Sequence, residues 1–337
     1  MVQADDGSEY VVTNATNESV SSNGSWPAVP RDTTGVGDRA AIEASADMGS
    51  APGATDRIRV LTWNLWWRFG AWRERRNAIV AELARVAPDV CGLQEVWDDG
   101  EENQAGSIAA DLGWHSVWAP SPSSEQWQRR LGATGAGIAF GNAVLSRWPI
   151  AGSAVNRLPA AVGIDDGRLA LHAMIASPFG AIPVFTTQLT SAWGHSRIRQ
   201  EQVAAVCRFI TERGHGGFPP VLTGDFNAPP DADEIRCLVG KADPPVPGVV
   251  LLDAWAYARP LELGWTWDRR NPHVAATLEP DARIDYVFVG PPDTQARGHI
   301  LTAELVGVQP KDGVWPSDHM GVLAELRGGA SDDGVVS

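Results

Sequence analysis

From Met1 to about residue 56 large apolar side chains are scarce, and Ser, Asn, Thr, Gly, Ala and Asp dominate. A segment of that kind cannot repay the entropy of ordering its backbone. A flexible acidic tail is therefore expected over residues 1–56, a folded region over 57–327 and a second short tail over 328–337. Within 57–327, apolar runs of strand length alternate with amphipathic stretches of helical period, which predicts an α/β protein. Arg57 to Asn64 reads as a strand. Arg73 to Ala87 reads as a helix with Ile79, Val80, Leu83 and Val86 on one face, ended by Pro88, and Val90 to Glu95 resumes as a strand. A second strand, helix, strand unit runs from Ile182–Leu189, through Val203, Val206, Cys207 and Ile210 at helical spacing, to Gly214 as a C-cap and Val221–Gly224. Further strands are expected at Gly137–Ser146, Arg168–Ile175, Arg283–Val289, Ile300–Val306 and Gly321–Leu326.

Composition changes this picture in two ways. The chain of 337 residues is 44% hydrophobic with 15 Trp, enough for a large core, and its net charge of −14 offers no favourable background field to a long polyanion. A small phosphate ester suits that charge better than a duplex, although a local cluster such as Arg129 and Arg130 changes the balance at a site. Three cysteines without paired or metal-ligand spacing read as reduced core thiols. No stretch is long and apolar enough to span a membrane and no secretory leader is recognised, so a cytoplasmic location is the expectation, with secretion left open. The sequons at Asn14, Asn17 and Asn23 are read as compositional accidents, and no obligate protein partner is evident.

The chemistry lies at strand ends. Five segments put polar groups there: Thr62-Trp63-Asn64, Leu93-Gln94-Glu95, Gly224-Asp225-Phe226-Asn227, Arg283-Ile284-Asp285-Tyr286 and Ser317-Asp318-His319. Burying so many carboxylates is costly without a compensating cation, and strand ends are where α/β sheets form ligand crevices. Carboxylates and amides, without Cys or clustered His, suit a hard cation, Mg²⁺ or alternatively Mn²⁺. Glu95 and Asp318 are the first candidates as ligands. Asp225 is placed to orient a water, and Asp285 is the candidate partner of His319. Taken singly, each piece has a blander reading: a strand-end Glu as a surface ion pair, Gly-Asp-Phe-Asn as a turn, Asp-His as a structural pair.

Together, in this order and spread, these segments resemble the endonuclease/exonuclease/phosphatase family, which includes deoxyribonuclease I, apurinic endonucleases, inositol polyphosphate 5-phosphatases and neutral sphingomyelinases. The resemblance implies one catalytic domain over 57–327, with two packed mixed β-sheets flanked by helices in a four-layer, deoxyribonuclease I-like α/β sandwich. It implies a Mg²⁺-dependent hydrolase of phosphate esters, nuclease, phosphodiesterase or phosphatase, acting by in-line attack of water. By the same resemblance Glu95 holds the metal, Asn64 and Asp318 complete or support its shell, and Asp225 positions or deprotonates the water. Asn227 would hydrogen-bond the phosphoryl oxygens, and His319, held by Asp285, would meet the charge that develops there. Trp66 stands where some nucleases of the family carry an acid for a second metal, so one metal is expected.

One position departs from the pattern: Gln188 stands where many relatives carry His. An amide donates a hydrogen bond but carries no positive charge, so Gln188→His is expected to raise turnover if the side chain reaches the phosphoryl group. Trp66, Trp67, Trp72, Trp265, Trp267 and Trp315 flank the catalytic segments. Most are expected in the core, with Trp66 and above all Trp315 as a substrate rim. The partner is a phosphate-ester substrate, small molecule or nucleic acid. The loop after Asn227, Ala228-Pro229-Pro230-Asp231, disfavours the inositol phosphatases, and the acidic charge disfavours duplex-binding nucleases. A catalytically weakened binding protein that keeps the pocket remains the alternative to an enzyme.

Overall fold

The structure, a computed structural model, describes residues 56–160 and 166–329. The two tails expected at 1–56 and 328–337 lie almost wholly outside the described residues. Along the chain the strands are β1 (Arg57–Asn64), β2 (Val90–Asp98), β3 (His115–Pro120), β4 (Ala139–Ser146), β5 (Ile150–Arg157), β6 (Leu169–Ser177), β7 (Gly180–Gln188), β8 (Val221–Asp225), β9 (Leu252–Asp253), β10 (Asp285–Val289), β11 (Ile300–Val306) and β12 (Gly321–Arg327). The helices are α1 (Trp72–Val86), α2 (Gln104–Leu112), α3 (Glu125–Leu131), α4 (Ser196–Arg213), α5 (Asp233–Leu238), α6 (Ala254–Ala258) and α7 (Pro272–Ala275). They form two six-stranded mixed sheets, ordered β11-β12-β1-β2-β4-β3 and β5-β6-β7-β8-β10-β9.

Each sheet has one parallel pair at its centre, β1 with β2 and β7 with β8, and every other pairing is antiparallel. Both parallel pairs arise from the strand, helix, strand units visible in the sequence, crossed by α1 and α4. Helix α1 buries Ile79, Leu83 and Val86 against Leu61, Cys91 and Leu93. Helix α4 buries Val203, Val206, Cys207 and Ile210 against Phe185, Leu222 and Phe288. Burying one such leucine stabilises the fold by about 2 kcal/mol. Between the sheets lies a third apolar layer that includes Val60, Val90, Leu171, Val184, Val221, Val287 and Val322. The order helix, sheet, sheet, helix is the four-layer sandwich the resemblance implies.

The sheets approach most closely beneath the strand ends. A Cβ on Gly92 would lie 1.9 Å from Thr223 Oγ1, so no larger residue fits there. Beside it Gln94 bridges the sheets, its Nε2 donating to Gly92 O at 3.1 Å and to Thr186 Oγ1 at 2.9 Å. The cysteines are buried and unpaired, as expected, and burial pushes the Cys207 thiol up to about 12. Gly214 does cap α4, but with φ −78° rather than the left-handed conformation; a Cβ there would meet Ile210 O at 2.5 Å. Close approach, not backbone handedness, calls for glycine at that cap. No helix among the described residues is long and apolar enough to cross a membrane.

Candidate active site

The carboxyl ends of the two parallel pairs face each other. In register, Asn64 ends β1 beside Gln94, and Gln188 ends β7 beside Asp225, which in turn pairs with Asp285 of β10. Ser317, Asp318 and His319 precede β12, and Asn271 Nδ2 holds that turn through Ser317 O and Asp318 O at 2.8 and 3.2 Å. Strand β2 carries an irregularity between Leu93 and Val96, and Glu95 within it has φ +56°. Trp66, Trp67 and Asn227 also have positive φ, at +56°, +36° and +49°. Such backbone is costly for residues with a Cβ, and its clustering at one place marks a site whose geometry the surroundings enforce.

The side chains then connect the two sheets. Asn64 Nδ2 donates to Glu95 Oε1 and Asp225 Oδ2, both at 3.1 Å, while Asn64 Oδ1 accepts from Trp66 N at 2.9 Å. The amide nitrogen thus supports Glu95 and Asp225, and the amide oxygen, with one lone pair taken by backbone, keeps another to offer a cation. Gln188 Nε2 donates to Glu95 Oε1 at 2.8 Å and Asp225 Oδ2 at 3.1 Å. Asn227 N donates to Asp225 Oδ1 at 3.0 Å, and Asn227 Nδ2 to Leu189 O at 3.0 Å. His319 Nδ1 lies 2.9 Å from Asp285 Oδ2. Thr266 Oγ1 accepts from Asp285 N at 3.1 Å, and Trp267 packs edge-on against the imidazole.

Electrostatics follows from the burial of this set. Desolvation raises Asp285 to about 6, helped by Asp225 and opposed by His319. Desolvation likewise raises Asp318 to about 7, with Glu95 adding to the rise and Arg75 and His319 opposing it. Burial alone would lower His319, but Asp285 and Asp225 outweigh it and hold the imidazole protonated well above its ordinary range. Buried negative charge exceeds the positive charge that faces it, as in a site built for a cation.

Two sets of residues offer themselves to that cation. Ligand atoms of Asp225, Asp285 and His319 lie within 4.8 Å of one another. A protonated imidazole bonded to a carboxylate is a donor rather than a metal ligand, however, and a hard cation seeks oxygen. Glu95 and Asp318 offer carboxylate oxygen alone, and the charge of Glu95 adds to the rise of Asp318, so the two stand near enough to share one cation.

Two residues that sequence reasoning missed organise the site from below. Arg75 of α1, 1% exposed, donates to the carbonyls of Leu65, Trp66, Trp67, Phe69 and Pro316 at 2.7 to 3.2 Å. Desolvation lowers it to about 10, against the pull of Asp318 and Glu95. It fixes the left-handed turn at Trp66 and Trp67 and supplies a counter-charge beneath the carboxylates. Arg75→Met is expected to destabilise the protein by about 3 kcal/mol, as for a buried charge deleted from its partners. An unchanged denaturant midpoint would show that the carbonyls find other donors.

The other is Arg168, whose Nη1 donates to Gln188 Oε1 and whose Nε donates to Asp166 Oδ2 at 2.8 Å. Because the guanidinium must face the amide oxygen, the amide nitrogen must face Glu95 and Asp225. The expectation for Gln188→His is thereby reversed. One imidazole cannot accept from Arg168 and donate to two carboxylates, and protonated it would face a buried guanidinium. We expect kcat to fall on the order of tenfold, measured on protein whose thermal melt confirms folding. A rise in kcat would show that Arg168 can be re-paired.

A cleft of about 1000 Å³ opens above these groups, lined by Glu95, Gln188, Asp225, Asn227, Asp318 and His319 at its base. Its walls include Trp66, Phe69, Trp127, Trp193, Trp267, His273 and Arg130. Trp66 lines the cleft. Trp315 is partly buried and does not line the cleft, and Trp193, 70% exposed on the loop after β7, occupies the wall instead. Trp67 is fully buried and donates to Ala139 O.

This fold is that of the family the sequence resembles. The chain belongs to the Endonuclease/Exonuclease/phosphatase family, whose model matches residues 61–319. Among solved structures it is similar to an endonuclease/exonuclease/phosphatase from Beutenbergia cavernae DSM 12333, with 26% identity over 82% of this chain and 72% of that one and a TM-score of 0.62. Humanized D. rerio TDP2 shares 19% identity over 81% of this chain and 99% of its own (TM-score 0.62). The human Nocturnin catalytic domain shares 21% over 80% and 93% (TM-score 0.61). No curated protein sequence matches the chain significantly.

Proposed function

We propose that the protein hydrolyses phosphate esters, with a phosphodiester as the favoured substrate and Mg²⁺ as the favoured cation. The observation that carries this reading is the meeting of Glu95, Asp225 and the Asp285–His319 pair, from two different sheets, at the base of one cleft. Glu95 and Asp318 would hold the divalent cation, which when bound supplies Lewis-acid stabilisation of phosphoryl charge. Asp225 Oδ1 is held by Asn227 N and Oδ2 by Asn64 and Gln188, so the carboxylate is locked in one orientation as it takes a proton from the attacking water. His319, kept protonated by Asp285, donates through Nε2 to a phosphoryl oxygen as its charge grows. Asn227 lines the same cleft and would add a second donor through the Nδ2 hydrogen that Leu189 O does not take.

A binding protein with a decayed site would be expected to have lost one of these groups, and none is missing. D. rerio TDP2 has been seen with a single-stranded DNA product, which supports nucleic acid among the substrates to try. Hydrolysis of bis(p-nitrophenyl) phosphate with Mg²⁺, abolished by a chelator and restored by added cation, is the expected result. Undiminished turnover in excess chelator, or none with any divalent cation, would overturn the reading.

A further inference from the structure

The cleft wall opposite the carboxylates carries a guanidinium that the hydrolytic chemistry does not use. Arg130, at the end of α3, is exposed, and its Cζ lies 5.6 Å from the Phe69 ring and 5.1 Å from the Trp127 ring. Trp127 is itself fixed, stacked on Phe140 at 4.4 Å with an interplanar angle of 6°. Resting a cation on aromatic faces orients it without neutralising it. Among the described residues no carboxylate pairs with Arg130. The other guanidinium on the wall, Arg199, is engaged by Glu234 and by the carbonyls of Thr190 and Ala192. Arg130 is thus the lining cation with charge to offer an anion.

Its position relative to the reacting groups is also defined. Trp127 also carries Arg168, whose Cζ is 5.3 Å from the same indole, and Arg168 bonds the Gln188 that bonds Glu95 and Asp225. Among the described residues Arg130 bonds none of the reacting groups, although it lines the same cleft, so an anion held there is distinct from the phosphate that meets Asp225 and His319. Trp193 adds an exposed ring to this wall, and the partly buried Trp66, whose ring meets His273 and Arg75, lines it beside. Exposed aromatic faces beside a tethered cation form a platform for bases and backbone phosphate. A substrate with a single phosphate leaves Arg130 unused. A duplex meets a chain of net charge −14 with, among the described residues, one guanidinium on the wall that no carboxylate engages, too few for its phosphate array.

We propose that Arg130 binds the phosphate flanking the scissile one and that the substrate class is a single-stranded oligonucleotide, its base stacked against Trp193. This rests on the phosphodiesterase reading. The test compares wild type, Arg130→Ala and Trp193→Ala on bis(p-nitrophenyl) phosphate and on a short single-stranded oligodeoxynucleotide, both with Mg²⁺. It adds binding of a labelled phosphorothioate oligonucleotide, followed by fluorescence anisotropy against salt.

For Arg130→Ala the rise in KM for the oligonucleotide should exceed that for the bis-aryl ester by on the order of tenfold, and the salt slope of binding should flatten by about 0.7. Trp193→Ala should weaken oligonucleotide binding without flattening that slope. Equal changes for both substrates, an unchanged salt slope, or a wild type that cleaves the bis-aryl ester but does not bind the oligonucleotide would overturn the proposal. A wild type that cleaves nothing yet binds the oligonucleotide with an Arg130-dependent slope would overturn the hydrolase reading and the assignment of a substrate, and would leave Arg130 as the phosphate contact of a binding site.

Discussion

Glu95→Gln is expected to lower kcat/KM by on the order of 10³-fold and to remove most Mg²⁺ affinity, because it deletes a negative ligand from a hard-cation site while keeping the shape of the side chain. The present structure sharpens the reason. Glu95 Oε1 already accepts from Asn64 and Gln188, so the side chain enters the site aligned and needs no reorganisation to meet a cation. A glutamine at 95 must turn its own amide so that its oxygen meets those two donors, which leaves its NH₂ pointing at the cation position. The loss should therefore appear in metal titration by calorimetry as well as in turnover. If Glu95→Gln retained wild-type Mg²⁺ affinity, the metal would have to be assigned to the Asp225, Asp285 and His319 set.

Asp225→Asn and His319→Ala are each expected to reduce kcat by on the order of 10²-fold or more, the size seen when a base or a transition-state donor is lost. Metal affinity should change much less than for Glu95→Gln. Asp225 receives three hydrogen bonds, from Asn64, Gln188 and Asn227 N, so an asparagine there must point its NH₂ at a donor and will also disturb Gln188. His319→Ala leaves Asp285 buried without its counter-charge, and Asp285 Oδ1 is already without a hydrogen-bond partner. Thermal melts of each variant separate lost chemistry from lost folding. A fall in kcat below tenfold for either variant, with the fold intact, would remove that residue from the mechanism.

How much of this was legible in the sequence depends on burial pattern. Strands β1, β2, β7, β8 and β12 are apolar runs buried on both faces, and the two helices that cross the parallel pairs have clear apolar stripes, so the central architecture could be read directly. Of the edge strands β11 could be read as well, but β3, β5 and β9 could not. Strand β5, Ile150–Arg157, is mostly exposed and built from small and polar residues, and β9 is two residues long. Their strand character comes from neighbours rather than from their own pattern. Helix α2 is short and Ala-rich, and its signals were local: Asn103 Oδ1 accepting from Gly106 N and Gly113 at φ 69°.

The same contrast holds at the site. Polar residues at strand ends announced Glu95, Asp225, Asp285 and His319, because each interrupts an apolar run. Arg75 and Arg168 gave no such signal, since an arginine at a helix start or beside a strand reads as a solvated surface cation. Only the fold reveals that both are buried among carbonyls, an amide and a carboxylate.

The hydrogen bonds from Asn64 to Asp225 and from Gln188 to Glu95 have a consequence for assembly. They join residues 161 and 93 positions apart and connect one sheet to the other. Neither half of the molecule holds the complete set, so the site comes into existence only when the sheets dock, a late and long-range event in folding. A ligand that bridges Glu95 and Asp225 binds the docked state alone and therefore acts as a clamp on the whole domain. At a hundred times its dissociation constant it adds about 2.7 kcal/mol to the free energy of unfolding, so thermal stability itself becomes a reporter of what the cleft accepts.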